Sequence, residues 1–130
     1  MTYAWRGVFR NDELNALHAE GFRHRLLDDD WTAQVERHSL GWVCARDADG
    51  GLVGFVNVPW DGGTHAFILD TLVALRARGQ GIGTRIVAMA ADEARAARCE
   101  WLHADFDDDL APFYFGACEF KTTPAGLIEL

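Results

Sequence analysis

One stretch of sequence decides the fold: Arg78-Gly79-Gln80-Gly81-Ile82-Gly83-Thr84. Before it, residues 65–75 form a long and largely apolar run, as expected of a buried strand. After it, apolar residues recur at helical spacing as far as Ala97. The stretch therefore joins a strand to a helix of residues 82–97.

The three alternating glycines make this loop a candidate phosphate site. Each glycine costs a helix ~1 kcal/mol relative to alanine, so a purely structural turn rarely contains three. The first turn of a helix has free N–H groups and the positive end of the dipole, which bind anions. Glycines let the backbone approach a phosphate closely, and Arg78 can add charge-assisted hydrogen bonds. The loop lacks the lysine–serine pair of a Walker A motif, and its glycine spacing does not match the dinucleotide fingerprint.

The rest of the sequence predicts an α+β fold. Alternating patterns and turn residues predict strands at residues 3–9, 41–46, 52–59, 65–75, 100–106, 118–122 and 126–130. Helical patterns follow Asn11 and recur at residues 31–37, 82–97 and 110–116. This order predicts an antiparallel meander followed by a strand–helix–strand unit, in a mixed central sheet flanked by helices. The apolar run at residues 65–75 is predicted to lie at the centre of the sheet.

The composition predicts a single domain of residues 1–130, with 49% hydrophobic residues to build a core. The net charge of −8 argues against a nucleic-acid binder. No apolar run reaches the ~20 residues of a membrane span, and the first residues lack the pattern of a secretory signal. The three cysteines form no C-x-x-C pair, which disfavours disulfides and zinc. We therefore expect a cytoplasmic protein without a metal and without nucleic-acid or membrane partners.

The loop resembles the acetyl-CoA loop of the GNAT acetyltransferases, whose pattern Q/R-x-x-G-x-G/A matches residues 78–83. Further resemblance lies in Thr71-Leu72-Val73, in Pro112-Phe113-Tyr114 and in Cys118-Glu119-Phe120. It implies a GNAT-like fold and acetyl-CoA as co-substrate. The cofactor-binding residues that it implies are Thr71, Leu72, Val73, Arg78, Gly79, Gln80, Gly81, Ile82, Gly83 and Thr84.

Tyr114 is the candidate general acid. Acetyl transfer to an amine requires a proton for the departing thiolate, and a tyrosine hydroxyl has a pKa of ~10, close to that of a thiol. In the family, the tyrosine usually stands five residues before the aromatic that matches Phe120. That spacing gives Phe115, and Tyr114 reaches the same place only if the helix contains one extra residue.

His103 is the candidate general base, because an imidazole titrates near neutral pH and the family often has its base on this strand. His103 and Asp105 are two residues apart, so they share a face of a strand. His65 and Asp70 are alternatives, and Asp70 is expected to face the same side as Leu72. A metal held by His103 and Asp105 is disfavoured because no third ligand stands at useful spacing.

Trp31 and Asp70 are the candidate substrate-binding residues, since the family builds its acceptor site near the segment that contains Trp31. The resemblance implies an N-acetyltransferase acting on a primary amine of a small molecule or peptide, and it implies that the chain can form a homodimer. The alternative is a non-catalytic coenzyme A-binding sensor, which would need neither Tyr114 nor His103.

Overall fold

The computed structural model describes all 130 residues, from Met1 to Leu130. The strands are β1 (Thr2–Trp5), β2 (Ser39–Arg46), β3 (Leu52–Pro59), β4 (His65–Phe67), β5 (Leu69–Val73) and β6 (Trp101–His103). The α-helices are α1 (Asn11–Phe22), α2 (Trp31–His38) and α3 (Ile82–Ala96). Short 3₁₀ turns occupy Leu75–Ala77 and Asp108–Leu110, and a π-helix spans Pro112–Ala117.

The strands form two sheets. Strands β4 and β5 follow each other in one segment of the chain, and each belongs to a different sheet. The first sheet has the order β1-β2-β3-β5 and is antiparallel throughout. The second pairs β4 with β6 in parallel, with His65 opposite Trp101. Strand β5 therefore pairs with β3 on one side and has no strand on the other.

Helices cover both faces of the first sheet. On one face, α3 approaches so closely that a Cβ at Gly54 would lie 2.9 Å from the Cγ2 of Ile82. On the other face, α1 crosses β5, and a Cβ at Gly21 would lie 2.7 Å from the Cδ2 of Leu72. Ile82 and Leu72 belong to one continuous buried core. The predicted α+β class, with a meander followed by a strand–helix–strand unit between helices, is confirmed.

The prediction of one central strand at residues 65–75 is wrong. The segment divides at Ile68, whose N–H donates to the carbonyl of His103 at 2.8 Å. Beyond it, Asp70 has a left-handed backbone with φ of +56°. Two residues of β5, Asp70 and Thr71, stand opposite one residue of β3, which is a β-bulge. The bulge turns the chain away from β6, so β5 becomes an edge strand.

The strands predicted at residues 118–122 and 126–130 are also absent, because nothing pairs with them. Glu119 has a φ of +60°, which breaks an extended run, and the last residues are exposed, with Leu127 at 81%. The first strand ends at Trp5, earlier than predicted, because Arg6 is left-handed with φ of +54°. No helix has the length and apolar character required to cross a membrane.

Candidate active site

Two of the three glycines in the loop have a backbone conformation that other residues rarely adopt. Gly79 and Gly81 are left-handed, with φ of +77° and +79°, and Gly81 is the N-cap of α3. A Cβ at either position would meet no atom within 4 Å, so the space beside the loop is open. Gly83 has a packing role as well, because a Cβ there would lie 3.1 Å from Cε1 of Phe113.

The first turn of α3 leaves its N–H groups free. No side chain caps the helix, and no acidic residue lies in its first turn. The first helical bond is donated by Arg85 to the carbonyl of Gly81 at 3.1 Å. The main-chain N–H groups that precede Arg85 in the helix have no helical acceptor. Together with the helix dipole they form an anion-binding terminus, which opens onto the space beside Gly79 and Gly81.

Of the three arginines near the loop, Arg78 alone neither pairs with a carboxylate nor lies over an aromatic ring. Arg76 binds the carboxylate of Asp47 at 2.8 Å, and this hydrogen bond lowers the pKa of that carboxyl. Arg85 lies over the ring of Tyr3, 5.0 Å from its centroid. Arg78 donates only from Nε, at 3.3 Å to the carbonyl of Val73. Its guanidinium is thus positioned between the loop and the end of β5.

The free edge of β5 contains the residues predicted to follow the cofactor, Thr71, Leu72 and Val73. An edge strand presents alternate N–H and C=O groups that have no partner in the sheet. Leu72 itself is buried beneath α1, and the Oγ1 of Thr71 is buried without a hydrogen-bond partner. The edge is therefore a surface with unused main-chain hydrogen-bonding groups, continuous with the glycine loop.

Tyr114 lies inside an aromatic cluster and is only 6% exposed. Its ring stacks on Phe106 at 4.3 Å and meets Phe113 and Phe120 edge-on at 4.9 and 5.7 Å. Burial raises the pKa of the Tyr114 hydroxyl, and the Thr71 side chain partly opposes that rise. Tyr114 therefore stays protonated at neutral pH.

The π-helix settles which residue of the segment points inward. Cys118 N–H donates to the carbonyl of Phe113 at 2.9 Å, a bond that spans five residues and accommodates one more residue than an α-helical turn. As a result Tyr114 is buried, whereas Phe115 is 41% exposed. The extra residue that Tyr114 needed to match the tyrosine position is present.

His103 lies at the end of β6 in a different setting from that of Tyr114. Its Nε2 is 2.8 Å from Nδ1 of His65, and its ring stacks on Phe67 at 4.7 Å. His103 and Asp105 are both exposed, but they make no hydrogen bond with each other. The structure thus pairs His103 with His65, the other histidine considered from sequence.

Asp70 and Trp31 meet around a residue that sequence reasoning missed, His18. Asp70 Oδ1 lies 3.2 Å from Nε2 of His18, and the ring of Trp31 packs against the His18 ring with centroids 5.1 Å apart and planes tilted by 35°. Trp31 is 6% exposed, so it packs against His18 and does not form an open pocket wall. His18 stands one helical turn after Leu14, on the same face of α1, and that spacing is the signal that identifies it. Asp70 and Leu72 both contact α1, as expected from their spacing.

No group of three or more histidine, cysteine or acidic side chains is arranged to hold a metal ion. The three cysteines are free. Burial raises the pKa of the Cys44 thiol to about 12 and that of Cys118 to about 11. These thiols remain protonated at neutral pH and are poor nucleophiles.

Comparisons with known proteins agree with this geometry. The model of the acetyltransferase (GNAT) family matches residues 5–120. A search of curated proteins found no significant match. Among solved structures, a GNAT-family acetyltransferase from Streptococcus pneumoniae TIGR4 has 19% identity and a TM-score of 0.79, over 99% of this chain and 96% of that one.

Two further solved structures superpose over the full length of the chain. Glucosamine-6-phosphate N-acetyltransferase from Arabidopsis thaliana has 15% identity and a TM-score of 0.78, over 100% of this chain and 99% of that one. Ribosomal-protein-alanine N-acetyltransferase from Brucella melitensis biovar Abortus 2308 has 21% identity and a TM-score of 0.78, over 100% of both chains. At these identities the likeness shows a shared fold.

Proposed function

Since this chain belongs to the acetyltransferase (GNAT) family, we propose that it transfers an acetyl group from acetyl-CoA to a primary amine by direct transfer. Acetyl-CoA, when bound, supplies the acetyl group as a reactive thioester. The acceptor is a small molecule or a peptide, and the net charge of −8 favours a cationic one.

One observation carries this proposal: the uncapped first turn of α3 opens onto free space beside Gly79 and Gly81. A pyrophosphate is a compact dianion, and it fits a terminus with free N–H donors and a neighbouring guanidinium. In this arrangement Gly79 to Thr84 supply main-chain donors and Arg78 supplies charge. Gln80, which is exposed, can extend the contacts on the outer side of the loop.

The free edge of β5 supports the second half of the cofactor site. A pantetheine arm contains amide groups, which pair with the unused main-chain groups of Thr71 to Val73 in the manner of an added strand. Arg78 already donates to the carbonyl of Val73, so the edge and the phosphate cradle are directly linked. An arm that leaves the loop along β5 passes Thr71, one of the two residues of the β-bulge.

Tyr114 then serves as the proton donor to the leaving thiolate. Its pKa is raised by burial, so its hydroxyl holds a proton throughout the neutral range. The Thr71 side chain, on β5, lowers the pKa of the Tyr114 hydroxyl against the larger effect of burial, although Thr71 Oγ1 makes no hydrogen bond. Tyr114 therefore lies near the strand that the cofactor is proposed to follow. The amine must also lose a proton, and His103 and Asp70 are the candidate acceptors near this strand and its neighbour.

Ligand-dependent melting tests the cofactor assignment. A ligand that binds only the folded state raises its stability by ~2.7 kcal/mol at a concentration one hundred times its Kd. We expect acetyl-CoA and coenzyme A to raise the melting temperature and ATP to have little effect. Arg78→Ala should reduce the shift, whereas Arg95→Ala, an exposed arginine of the last turn of α3, should not. Protection by ATP alone would refute the cofactor site.

An assay of coenzyme A release against a panel of amines tests the reaction. Primary amines should release coenzyme A thiol stoichiometrically with acetylated product. A chain that binds acetyl-CoA but acetylates no amine would instead be the non-catalytic sensor.

A further inference from the structure

We propose that the hydroxyl of Thr71 stabilises Tyr114 as a phenolate when this tyrosine gives its proton to the leaving thiolate. Thr71 is then a positioning residue, which acts through Tyr114. The inference rests on the proposed function and adds a second side chain to its acid. It gives a role to the Thr71 side chain that is separate from the main-chain pairing proposed for β5.

The unpaired state of the Thr71 hydroxyl is the first observation. Its Oγ1 is the only side-chain nitrogen or oxygen that is closed to solvent and makes no hydrogen bond. Nearly all buried polar groups in folded proteins are paired, because an unpaired one destabilises the fold. The hydrogen that Thr71 can donate is therefore unused in the resting protein.

The direction of the Thr71 side chain is the second observation. Leu72 lies beneath α1, and successive side chains of a strand point to opposite faces, so Thr71 and Val73 point away from α1. On that other face, a Cβ at Gly83 would lie 3.6 Å from Cγ2 of Val73 and 3.1 Å from Cε1 of Phe113. The π-helix thus packs against the face of β5 to which Thr71 belongs.

Tyr114 follows Phe113 in the π-helix, and the two rings meet edge-on with centroids 4.9 Å apart. Burial has the largest effect on the pKa of Tyr114 and raises it, and the neighbouring Cys118 and Asp105 add to this rise. Thr71 is the one neighbour that lowers that pKa. The Thr71 side chain therefore favours the phenolate form, against every other group that faces the tyrosine hydroxyl.

The value of this donor changes during the reaction. In the resting protein the oxygen of Tyr114 is neutral, and Thr71 makes no hydrogen bond to it. Once the proton has left, the oxygen is negatively charged, and hydrogen bonds to charged groups are roughly twice as strong as those between neutral groups. The interaction is therefore stronger in the transition state than in the ground state, which is the condition for a rate effect. Because Thr71 is already ordered on β5, little reorganisation is needed.

The proton step balances within the named groups. The O–H bond of Tyr114 breaks, its proton forms an S–H bond on the leaving thiolate, and the electron pair stays on the tyrosine oxygen. Thr71 keeps its hydrogen throughout and donates it to that oxygen. One proton passes from the amine nitrogen to solvent, and one returns from solvent to Tyr114, so the protein ends in its starting state.

Ultraviolet titration of Thr71→Val tests the contact directly, without any ligand. Valine has nearly the shape of threonine and keeps the main-chain groups of β5, so only the hydroxyl is lost. In a Tyr3→Phe background Tyr114 is the only tyrosine, and the ring beneath Arg85 is retained. Thr71→Val should move the ionisation of Tyr114 to higher pH, because the phenolate loses its donor. Thr71→Ser, which keeps a hydroxyl, should return it towards the wild-type position.

Kinetics with an amine that the wild type acetylates test the effect on the reaction. Thr71→Val should lower kcat about 10–100-fold, the loss expected for one hydrogen bond to a charged group, and leave the Kd for acetyl-CoA unchanged. Thr71→Ser should retain most of the activity. Adding Thr71→Val to Tyr114→Phe should cause no further loss, because the threonine hydroxyl acts through the tyrosine oxygen.

Thermal melting separates this role from a structural one. Thr71→Val should melt no lower than the wild type, since the hydroxyl that it removes has no partner in the resting protein. Thr64→Val, in the exposed turn before β4, is the matched control. It should match the wild type in melting, in Tyr114 ionisation and in kcat.

The outcomes separate this inference from the function on which it rests. A wild type that acetylates amines while Thr71→Val is equally active overturns the inference alone. So does an unchanged ionisation of Tyr114 in Thr71→Val, a lower melting temperature, or a loss of kcat that adds in full to that of Tyr114→Phe. Weaker binding of acetyl-CoA by Thr71→Val would assign the hydroxyl to the cofactor and overturn it too. A wild type that acetylates no amine overturns the proposed function and the inference with it.

Discussion

Phe120 donates its main-chain N–H to the carbonyl of Tyr114 at 2.9 Å, and the two rings meet edge-on with centroids 5.7 Å apart. The bond spans six residues and, with the π-helix before it, holds the Tyr114 side chain in the cluster with Phe106 and Phe113. The hydroxyl is therefore fixed by main-chain geometry, which makes its contribution to the reaction separable from the stability of the segment.

Tyr114→Phe should lower kcat about ten- to a thousandfold and leave the affinity for acetyl-CoA nearly unchanged, because the proposed role of the hydroxyl is confined to the departure of the thiolate. Kinetics and calorimetry measure the two quantities. Adding Phe115→Tyr to this variant should restore nothing, since residue 115 points outward. Recovery of activity in the double variant would show that the π-helix register is wrong.

Ionisation of Tyr114 should occur at higher pH than that of an ordinary tyrosine, because burial raises its pKa. The neutral form is favoured in the folded state, so the stabilisation is present below the ordinary pKa of ~10 and is lost as pH rises above it. Ultraviolet titration of wild type and Tyr114→Phe gives the Tyr114 signal by difference, as the chain has two tyrosines. A difference signal at or below the ordinary value would contradict this prediction.

Gly79→Asn should fold normally and bind coenzyme A less tightly. Asparagine adopts the left-handed conformation more readily than other side chains, so φ of +77° is tolerated. The new side chain enters the open space where the pyrophosphate is proposed to lie. Calorimetry should show at least about a tenfold loss of affinity, which corresponds to ~1.4 kcal/mol.

Gly62→Asn is the matched control, because Gly62 has φ of +80°, equally open surroundings and a position in the turn before β4. It should leave coenzyme A affinity as in wild type. Equal affinities for wild type and Gly79→Asn would remove the loop from the cofactor site.

Local features explain why the loop and α3 could be predicted from sequence. The alternation of Gly79, Gly81 and Gly83 and the helical spacing after Ile82 need no knowledge of the rest of the chain. The division of residues 65–75 into two strands could not be predicted from local sequence. It depends on a bond from Ile68 to His103, 35 residues away, and on the left-handed backbone of Asp70.

The same distinction applies to the site. The sequence proposed Tyr114 as the general acid, which stays a prediction, and the inward direction of its side chain depends on π-helical hydrogen bonding, which has no simple pattern of residues. The partnership of His18 with Asp70 joins residues that are 52 positions apart. The expectation of closing strands failed because an apolar pattern predicts a strand without showing whether another strand is available to pair with it.

Acidification should weaken the fold through the ion pair between Glu13 and Arg46, which ties the start of α1 to β2. Glu13 accepts hydrogen bonds from both the Arg46 guanidinium and the main-chain N–H of Arg10, and it is 14% exposed. The bond with Arg46 is the main reason that the pKa of Glu13 is lowered from its ordinary 4.5. A carboxyl with a lowered pKa stabilises the fold above the ordinary value, and that stabilisation is lost as pH falls through the folded-state pKa.

Glu13→Gln should therefore cost about 1–2 kcal/mol at neutral pH and should lose less additional stability on acidification than the wild type does. Urea unfolding at neutral pH and at roughly pH 3 measures the loss of stability at neutral pH and the further loss on acidification. Asp12→Asn is the control, because Asp12 is exposed and pairs only with the exposed Arg10 at 3.0 Å, so it should leave the free energy of unfolding nearly unchanged. If Glu13→Gln lost as much stability on acidification as the wild type, the acid sensitivity would have to arise elsewhere than at the link between α1 and β2.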